Sequence, residues 1–121
     1  MRTRPDQIET LALTAGRVTV DEAGYLTDPA QWSPEFAKLV AETEALSLTD
    51  LHWEVFAFMR SYLDDHGIAA DARFVIRFLS DELNLDRHEA KHKLFELFPL
   101  GYVKQACKMA GMRQPRAWST G

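Results

Sequence analysis

The stretch 50–65 carries apolar side chains on most sides of the helix that its composition favours. Thr49 is its predicted N-cap, Asp50 suits the positive helix end, and His66-Gly67 is a typical C-terminal stop. A helix that is apolar all round must be covered by other elements. The chain is therefore predicted to be a helical bundle with this helix at its centre. Its apolar residues are Leu51, Trp53, Val55, Phe56, Phe58, Met59, Tyr62 and Leu63.

Four further helices are predicted, over residues 34–46, 71–84, 87–98 and 102–110. The first begins with Ser33 and Pro34, because serine is a favoured N-cap and proline a favoured first helical residue. Asp86 and Glu89 have the spacing of a capping box at the start of the helix over 87–98. Together the five segments predict a mainly α fold, a small orthogonal bundle of about five helices.

Two β-type runs flank a turn containing Gly16, which predicts a hairpin near residues 10–20. The length of 121 residues suits a single domain over 1–121, with a frayed start at 1–7 and a flexible C-terminal arm at 112–121. The predicted core consists of Trp53, Phe56, Phe74, Phe78 and Leu94, with Trp32, Phe58, Phe95 and Phe98 as further core aromatics.

Composition narrows the functional class. The sequence holds no apolar run long enough to cross a membrane and no signal-peptide pattern, and its single cysteine suits a reducing compartment, so we expect a cytoplasmic protein. The segment 97–121 has no acidic residue. Its four basic residues contribute +4. Because the whole chain has a net charge of −4, residues 1–96 carry −8. An acidic body with a basic arm attracts an acidic partner or its own arm.

Two motifs on the last long helices have alternative interpretations. His88-Glu89-Ala90-Lys91-His92 matches the spacing of zinc proteases, but no His, Asp or Glu follows Glu96 to act as a third ligand, so no metal site is predicted. The helix pair 71–98 resembles a helix-turn-helix, and DNA binding through it remains an alternative. Short links between packed helices are, however, the ordinary construction of a bundle.

Cys107 is the candidate reactive group. It lies in a basic segment bounded by Gly101 and Gly111, with Lys104 one helical turn before it and Lys108 next to it. Nearby cations stabilise a thiolate, whereas burial opposes it, and the sequence leaves the balance open. The apolar spacing predicts that the thiol is partly covered, at the edge of the contact between this segment and the bundle.

The same segment carries a resemblance to a known family. The run from Phe98-Pro99-Leu100-Gly101-Tyr102 to Gln105-Ala106-Cys107-Lys108-Met109-Ala110-Gly111 resembles the C-terminal motif of the DsrC/TusE sulfur-relay family. Earlier blocks of that family are similar to Gly24-Tyr25-Leu26, Gln31-Trp32-Ser33 and His52-Trp53-Glu54-Val55. The resemblance extends over nearly the whole chain from the hairpin onward.

The resemblance implies a helical bundle with an N-terminal hairpin and a C-terminal arm that carries sulfur as cysteine persulfide. TusE proteins serve tRNA thiolation, and DsrC proteins serve dissimilatory sulfur metabolism with sulfite reductase as partner. The family's main carrier cysteine lies near the end of the arm, and DsrC proteins have a second one eleven residues earlier. Here Cys107 matches the earlier cysteine, and Trp118 stands at the later position, where it is the predicted anchor of the arm.

We therefore predict a sulfur-relay protein that acts through protein–protein contacts, with Cys107 as candidate persulfide acceptor and Lys104 and Lys108 as supporting cations. Sulfur-relay proteins or dissimilatory sulfite reductase are the predicted partners, and no cofactor is implied. A carrier is expected rather than an enzyme, because no base or oxyanion site is predicted around the thiol. The alternative is a regulatory or DNA-binding member of the family that carries no sulfur.

Overall fold

The computed structural model describes residues 8–14 and 16–115. It opens with a two-stranded antiparallel hairpin of β1 (Glu9–Leu13) and β2 (Gly16–Val20), in which Leu11 pairs with Val18. The predicted hairpin is confirmed. Val18 and Val20 of β2 are buried, because alternate residues of this strand face the bundle.

Four α-helices follow in chain order. They are α1 (Pro34–Thr43), α2 (Asp50–His66), α3 (Ala72–Leu83) and α4 (Arg87–Leu97), and a short 3-10 turn, Pro29–Gln31, precedes them. Local capping explains their starts, as predicted. Ser33 accepts a hydrogen bond from the backbone N–H of Phe36 above Pro34, and Asp86 and Glu89 form a reciprocal capping box.

The predicted boundaries differ from the structure by more than one residue at two places. Helix α1 ends at Thr43 rather than at residue 46, because Ala45 has a positive φ of 55° that a continuing helix does not permit. The last helix is not a regular α-helix over 102–110. It begins as a π-helical stretch, Tyr102–Cys107, and only residues 108–109 continue in α geometry. We call residues 101–112 the C-terminal segment.

The core runs through the whole bundle, with Phe36, Phe56, Met59 and Leu94 almost completely buried. Two predicted core aromatics are wrong, since Phe74 is 38% exposed and Phe95 is 39% exposed. Both lie at the edge of the apolar stripe of their helix. Periodicity predicts which side of a helix faces the core, but it does not predict how far the neighbouring element extends over that side. The predicted core residues Trp32, Trp53, Phe58 and Phe78 pack against the core while remaining partly exposed.

The C-terminal segment completes this core rather than lying outside it. Its buried side chains include Tyr102, Ala106, Met109 and Met112. Burial of Met112 contradicts the expected start of a flexible arm at residue 112, because the side chain is 1% exposed. Within the described part of the chain, no helix is both long and apolar enough to cross a membrane.

Candidate functional site

Cys107 lies inside the bundle. Its residue is 1% exposed, so the thiol is buried deeper than the partly covered position that the sequence predicted. Burial raises the pKa of the Cys107 thiol to about 12, because a charged thiolate would lose its hydration, while contact with the Tyr102 hydroxyl lowers it to a smaller extent. At neutral pH the thiol is therefore protonated, and it is shielded from solvent.

Two side chains outside the C-terminal segment hold the carbonyls that follow Cys107. The indole Nε1 of Trp32 donates to the carbonyl of Met109 at 2.7 Å. Arg60 donates from Nη1 to the carbonyl of Ala110 at 3.1 Å and from Nη2 to that of Pro29 at 2.8 Å. The guanidinium of Arg60 also lies 4.9 Å from the centre of the Trp32 ring. One arginine thus joins α2, the 3-10 turn and the C-terminal segment.

Two tyrosines hold the part of the segment that precedes Cys107. The hydroxyl of Tyr25 donates to the carbonyl of Val103 at 2.9 Å, and that of Tyr102 donates to the carbonyl of Ala70 at 2.5 Å. Both phenols are kept protonated, since burial raises the pKa of Tyr25 to about 12 and raises that of Tyr102 further. Their hydrogen-bond donors are therefore present throughout the neutral range.

Glu44, just after α1, is the acceptor for two side chains of the segment. Its Oε1 accepts from Nε2 of Gln105 at 3.0 Å, and its Oε2 accepts from Nζ of Lys108 at 3.1 Å. The Lys108 ammonium also lies 5.4 Å from the centre of the Tyr25 ring. Gln105 is itself 3% exposed, and its Oε1 accepts from the backbone N–H of Leu100 at 2.8 Å. The side chains of Gln105 and Lys108 are thus paired within the protein.

At Gly111 the backbone of the segment lies against the Trp32 side chain. Its φ is +82°, and a Cβ placed there would lie 2.4 Å from Cδ1 of Trp32. A side chain is excluded on both conformational and steric grounds. We call the contacts that Tyr25, Trp32, Glu44 and Arg60 make with the segment the clamp.

The predicted site residues have separate environments. Lys104 is exposed, whereas Lys108 is half-buried and pairs with Glu44 rather than turning toward the thiol. The dominant influence on the Cys107 thiol is burial, and neither lysine contributes to its pKa shift. Trp118, the predicted anchor of the arm, lies outside the described residues.

The histidine pair on α4 faces a shallow cavity of about 240 Å³ lined also by Leu85, Glu89, Lys93 and Glu96. His92 Nδ1 lies 3.7 Å from Glu96 Oε2, and Lys93 Nζ lies 3.0 Å from Glu96 Oε1. Among the described residues no group of three His, Cys, Asp or Glu side chains is placed to hold a metal ion. Glu89 acts as the capping partner of Asp86 at the start of the helix.

Sequence reasoning missed the clamp. Trp32 was assigned to the core, and no role was predicted for Glu44, Arg60 or Tyr25. The blocks Gly24-Tyr25-Leu26 and Gln31-Trp32-Ser33, which carry the family resemblance, contain two of these residues and were the available signal. Glu44 offers none, because its partners lie more than sixty residues further along the chain.

Comparison with known proteins identifies the family. The family model for DsrC-like proteins matches residues 13–117. A sulfurtransferase TusE homolog from Haemophilus influenzae is 35% identical over 98 residues, covering 81% of this chain and 89% of that protein. The family-model match extends from the end of β1 through the bundle and past the segment that contains Cys107.

Solved structures give the same result for the fold. DsrC from Allochromatium vinosum matches with a TM-score of 0.78 and 32% identity, covering 91% of this chain and 97% of that one. The oxidized γ-subunit of the dissimilatory sulfite reductase (DsrC) from Archaeoglobus fulgidus matches with a TM-score of 0.77 and 27% identity, covering 90% and 98%. The chain therefore belongs to the DsrC-like family, as the resemblance of its C-terminal motif predicted.

Proposed function

We propose that this chain is a sulfur-relay protein that acts through contacts with other proteins, and that Cys107 accepts sulfur only when the clamp is open. The observation that carries the proposal is the position of the chain's single cysteine, buried in a segment that reversible hydrogen bonds hold in place. The related proteins named above are sulfurtransferases and DsrC proteins. They give no support to the alternative of a DNA-binding regulator.

While the clamp holds the segment in place, the Cys107 thiol is protected from reaction. A thiol is a nucleophile only as thiolate, and burial keeps this one protonated at neutral pH. Opening the segment would expose the thiol to water and return its pKa toward the ordinary range. A partner that binds the open segment would thus couple recognition to activation.

The transfer step is an exchange of one sulfur atom. The Cys107 thiolate attacks the outer sulfur of a donor persulfide, a new S–S bond forms at Cys107, and the donor's S–S bond breaks. The donor leaves as a thiolate, so the electron count balances without an external oxidant. A partner protein bearing a cysteine persulfide is the class of donor that this step needs. The pathway in which this chain would take part is either tRNA thiolation, as in TusE proteins, or dissimilatory sulfur metabolism with sulfite reductase.

Mass spectrometry after incubation with glutathione persulfide tests the proposal. We expect a gain of about 32 Da on Cys107. It should form slowly in the wild-type protein and at least tenfold faster in Trp32→Phe, which removes the indole donor to Met109. Trp53→Phe is the matched control, since Trp53 is likewise partly buried and packs edge-on against Phe56 of its own helix.

The outcomes separate the two parts of the proposal. Equal rates in the wild type and Trp32→Phe would contradict the need for opening. A folded Trp32→Phe protein whose thiol reacts with iodoacetamide but never gains sulfur would contradict the acceptor role of Cys107. Relay through protein contacts alone would then remain.

A further inference from the structure

Outside the clamp, three arginines line one concavity on the surface of the protein. Arg73 and Arg77 of α3 and Arg87 at the start of α4 line a cavity of about 300 Å³, together with Ile76 and Ser80. No carboxylate from the described part of the chain lines it. The location contrasts with residues 1–96 as a whole, which carry a net charge of −8.

The three guanidinium groups differ in how their charge is compensated. Arg73 lies 3.5 Å from Asp71 and 5.8 Å from the centre of the Phe74 ring, so an acidic and an aromatic group already accompany it. Arg77 and Arg87 have no carboxylate of the described residues within 4.0 Å. Asp81 and Asp86, their neighbours in sequence, do not line the cavity. Two positive charges therefore remain without a carboxylate partner among the described residues.

The side-chain donors that this cavity can offer to a ligand are guanidinium N–H groups. The Ser80 hydroxyl donates its hydrogen to the carbonyl of Leu85 at 2.6 Å, so it has none left for a ligand. Arginine presents several N–H donors in a planar fork that suits oxyanions. Two uncompensated guanidinium groups match the charge of a dianion, and the cavity volume leaves room for a group attached to it.

We propose that this cavity, the arginine site, binds a dianionic oxyanion group of the phosphate type, either free or as a monoester on a larger molecule. Arg77 and Arg87 supply the charge, and Arg73, oriented by Asp71 and Phe74, supplies further donors at the rim. The inference does not depend on the proposed role of Cys107, because it uses no residue of the clamp.

Amide-resolved NMR titration of the full chain with inorganic phosphate, at constant ionic strength maintained with chloride, is the test. We expect saturable shifts concentrated at residues 73–80 and at 87. Arg77→Gln should weaken the apparent affinity about tenfold. Arg17→Gln removes the same charge from an exposed position of β2 and should leave the affinity unchanged. Parallel titration with O-phosphoserine separates a free anion from a monoester, since the form that binds more tightly is the preferred ligand.

Three results would overturn the proposal. The first is a set of small, unsaturable shifts spread over every exposed basic residue, Arg17 included. The second is equal phosphate affinity in Arg77→Gln and the wild type. The third is replacement of phosphate by chloride at the same concentration without loss of the shifts, which would indicate general screening.

Discussion

Basic side chains are placed in two contrasting ways in this protein. In the clamp, Lys108 and Arg60 are partly buried, and each has defined acceptors, Glu44 for the lysine and two backbone carbonyls for the arginine. In the arginine site, Arg77 and Arg87 are exposed and lack acidic partners among the described residues. Cations whose hydrogen-bond needs are met within the fold hold structure, whereas unpaired ones at a concavity are available for a ligand.

The largest effect should follow from adding one methyl group at the clamp. Gly111→Ala combines a left-handed φ with a contact of 2.4 Å to Trp32, and we expect it to lower the free energy of unfolding by about 3 kcal/mol or more. Gly67→Ala is the matched control, because its φ of +74° is similar but nothing lies near its Cβ. Its cost should be about 1 kcal/mol. Urea unfolding measures both, and equal losses would show that the steric contact is unimportant.

The next effect concerns the partly buried pair. Glu44→Gln leaves the Lys108 ammonium without its carboxylate in a site where both side chains are less than 20% exposed, and we expect a loss of about 2 kcal/mol. Glu96→Gln breaks an exposed pair of similar length with Lys93 and should leave the free energy of unfolding nearly unchanged, because solvent screens the pair. Similar losses in the two variants would remove the contrast between paired structural cations and surface ones.

The next effect is a dependence of stability on pH, which we expect from His52 in the interior. His52 Nε2 lies 2.7 Å from the carbonyl of Leu97, and its Nδ1 accepts from the backbone N–H of Thr49 at 3.0 Å. Burial lowers the pKa of His52 below its ordinary 6.5, so the unfolded chain binds the proton more readily. The stability that the buried, neutral His52 contributes is therefore fully present above about pH 6.5. It decreases as the pH falls from there toward the lower folded-state pKa.

Unfolding measured between pH 7.5 and 5 tests this expectation. The decrease in stability should be smaller in His52→Gln, which lacks the titrating group, and a slope identical to that of the wild type would contradict the assignment.

The smallest effect is expected for the arginine site itself. Arg77→Gln should change the free energy of unfolding by less than about 0.5 kcal/mol in chloride buffer, because the exposed side chain has no carboxylate partner among the described residues. In phosphate, the thermal midpoint of the wild type should rise, and that of the variant should rise less. A large loss of stability in chloride would instead make Arg77 a structural residue.

Local chemistry explains which features the sequence could predict. The starts of α1 and α4 follow from Ser33, Pro34, Asp86 and Glu89, which act on backbone groups within a few residues, and the hairpin follows from short-range patterning. The exposure of Phe74 and the depth of Cys107 depend instead on where distant elements stop. No local pattern specifies those limits.

The candidate site was predicted only in part for the same reason. The segment around Cys107 was located correctly by its motif, but the π-helical backbone and the clamp were not predicted. The bond from Tyr25 to Val103 joins residues 78 positions apart, and that from Trp32 to Met109 joins residues 77 apart. Such pairings are set by three-dimensional packing rather than by spacing in the sequence.

These two long-range bonds also bear on how the chain folds. Contacts between distant parts of a chain form late, because closing a long loop costs entropy before any contact stabilises it. During synthesis, Tyr25 and Trp32 emerge well before Val103 and Met109, whose carbonyls they bond. Neither side chain therefore has its acceptor until the C-terminal segment has been synthesised, so the nascent chain cannot complete this part of its core before then.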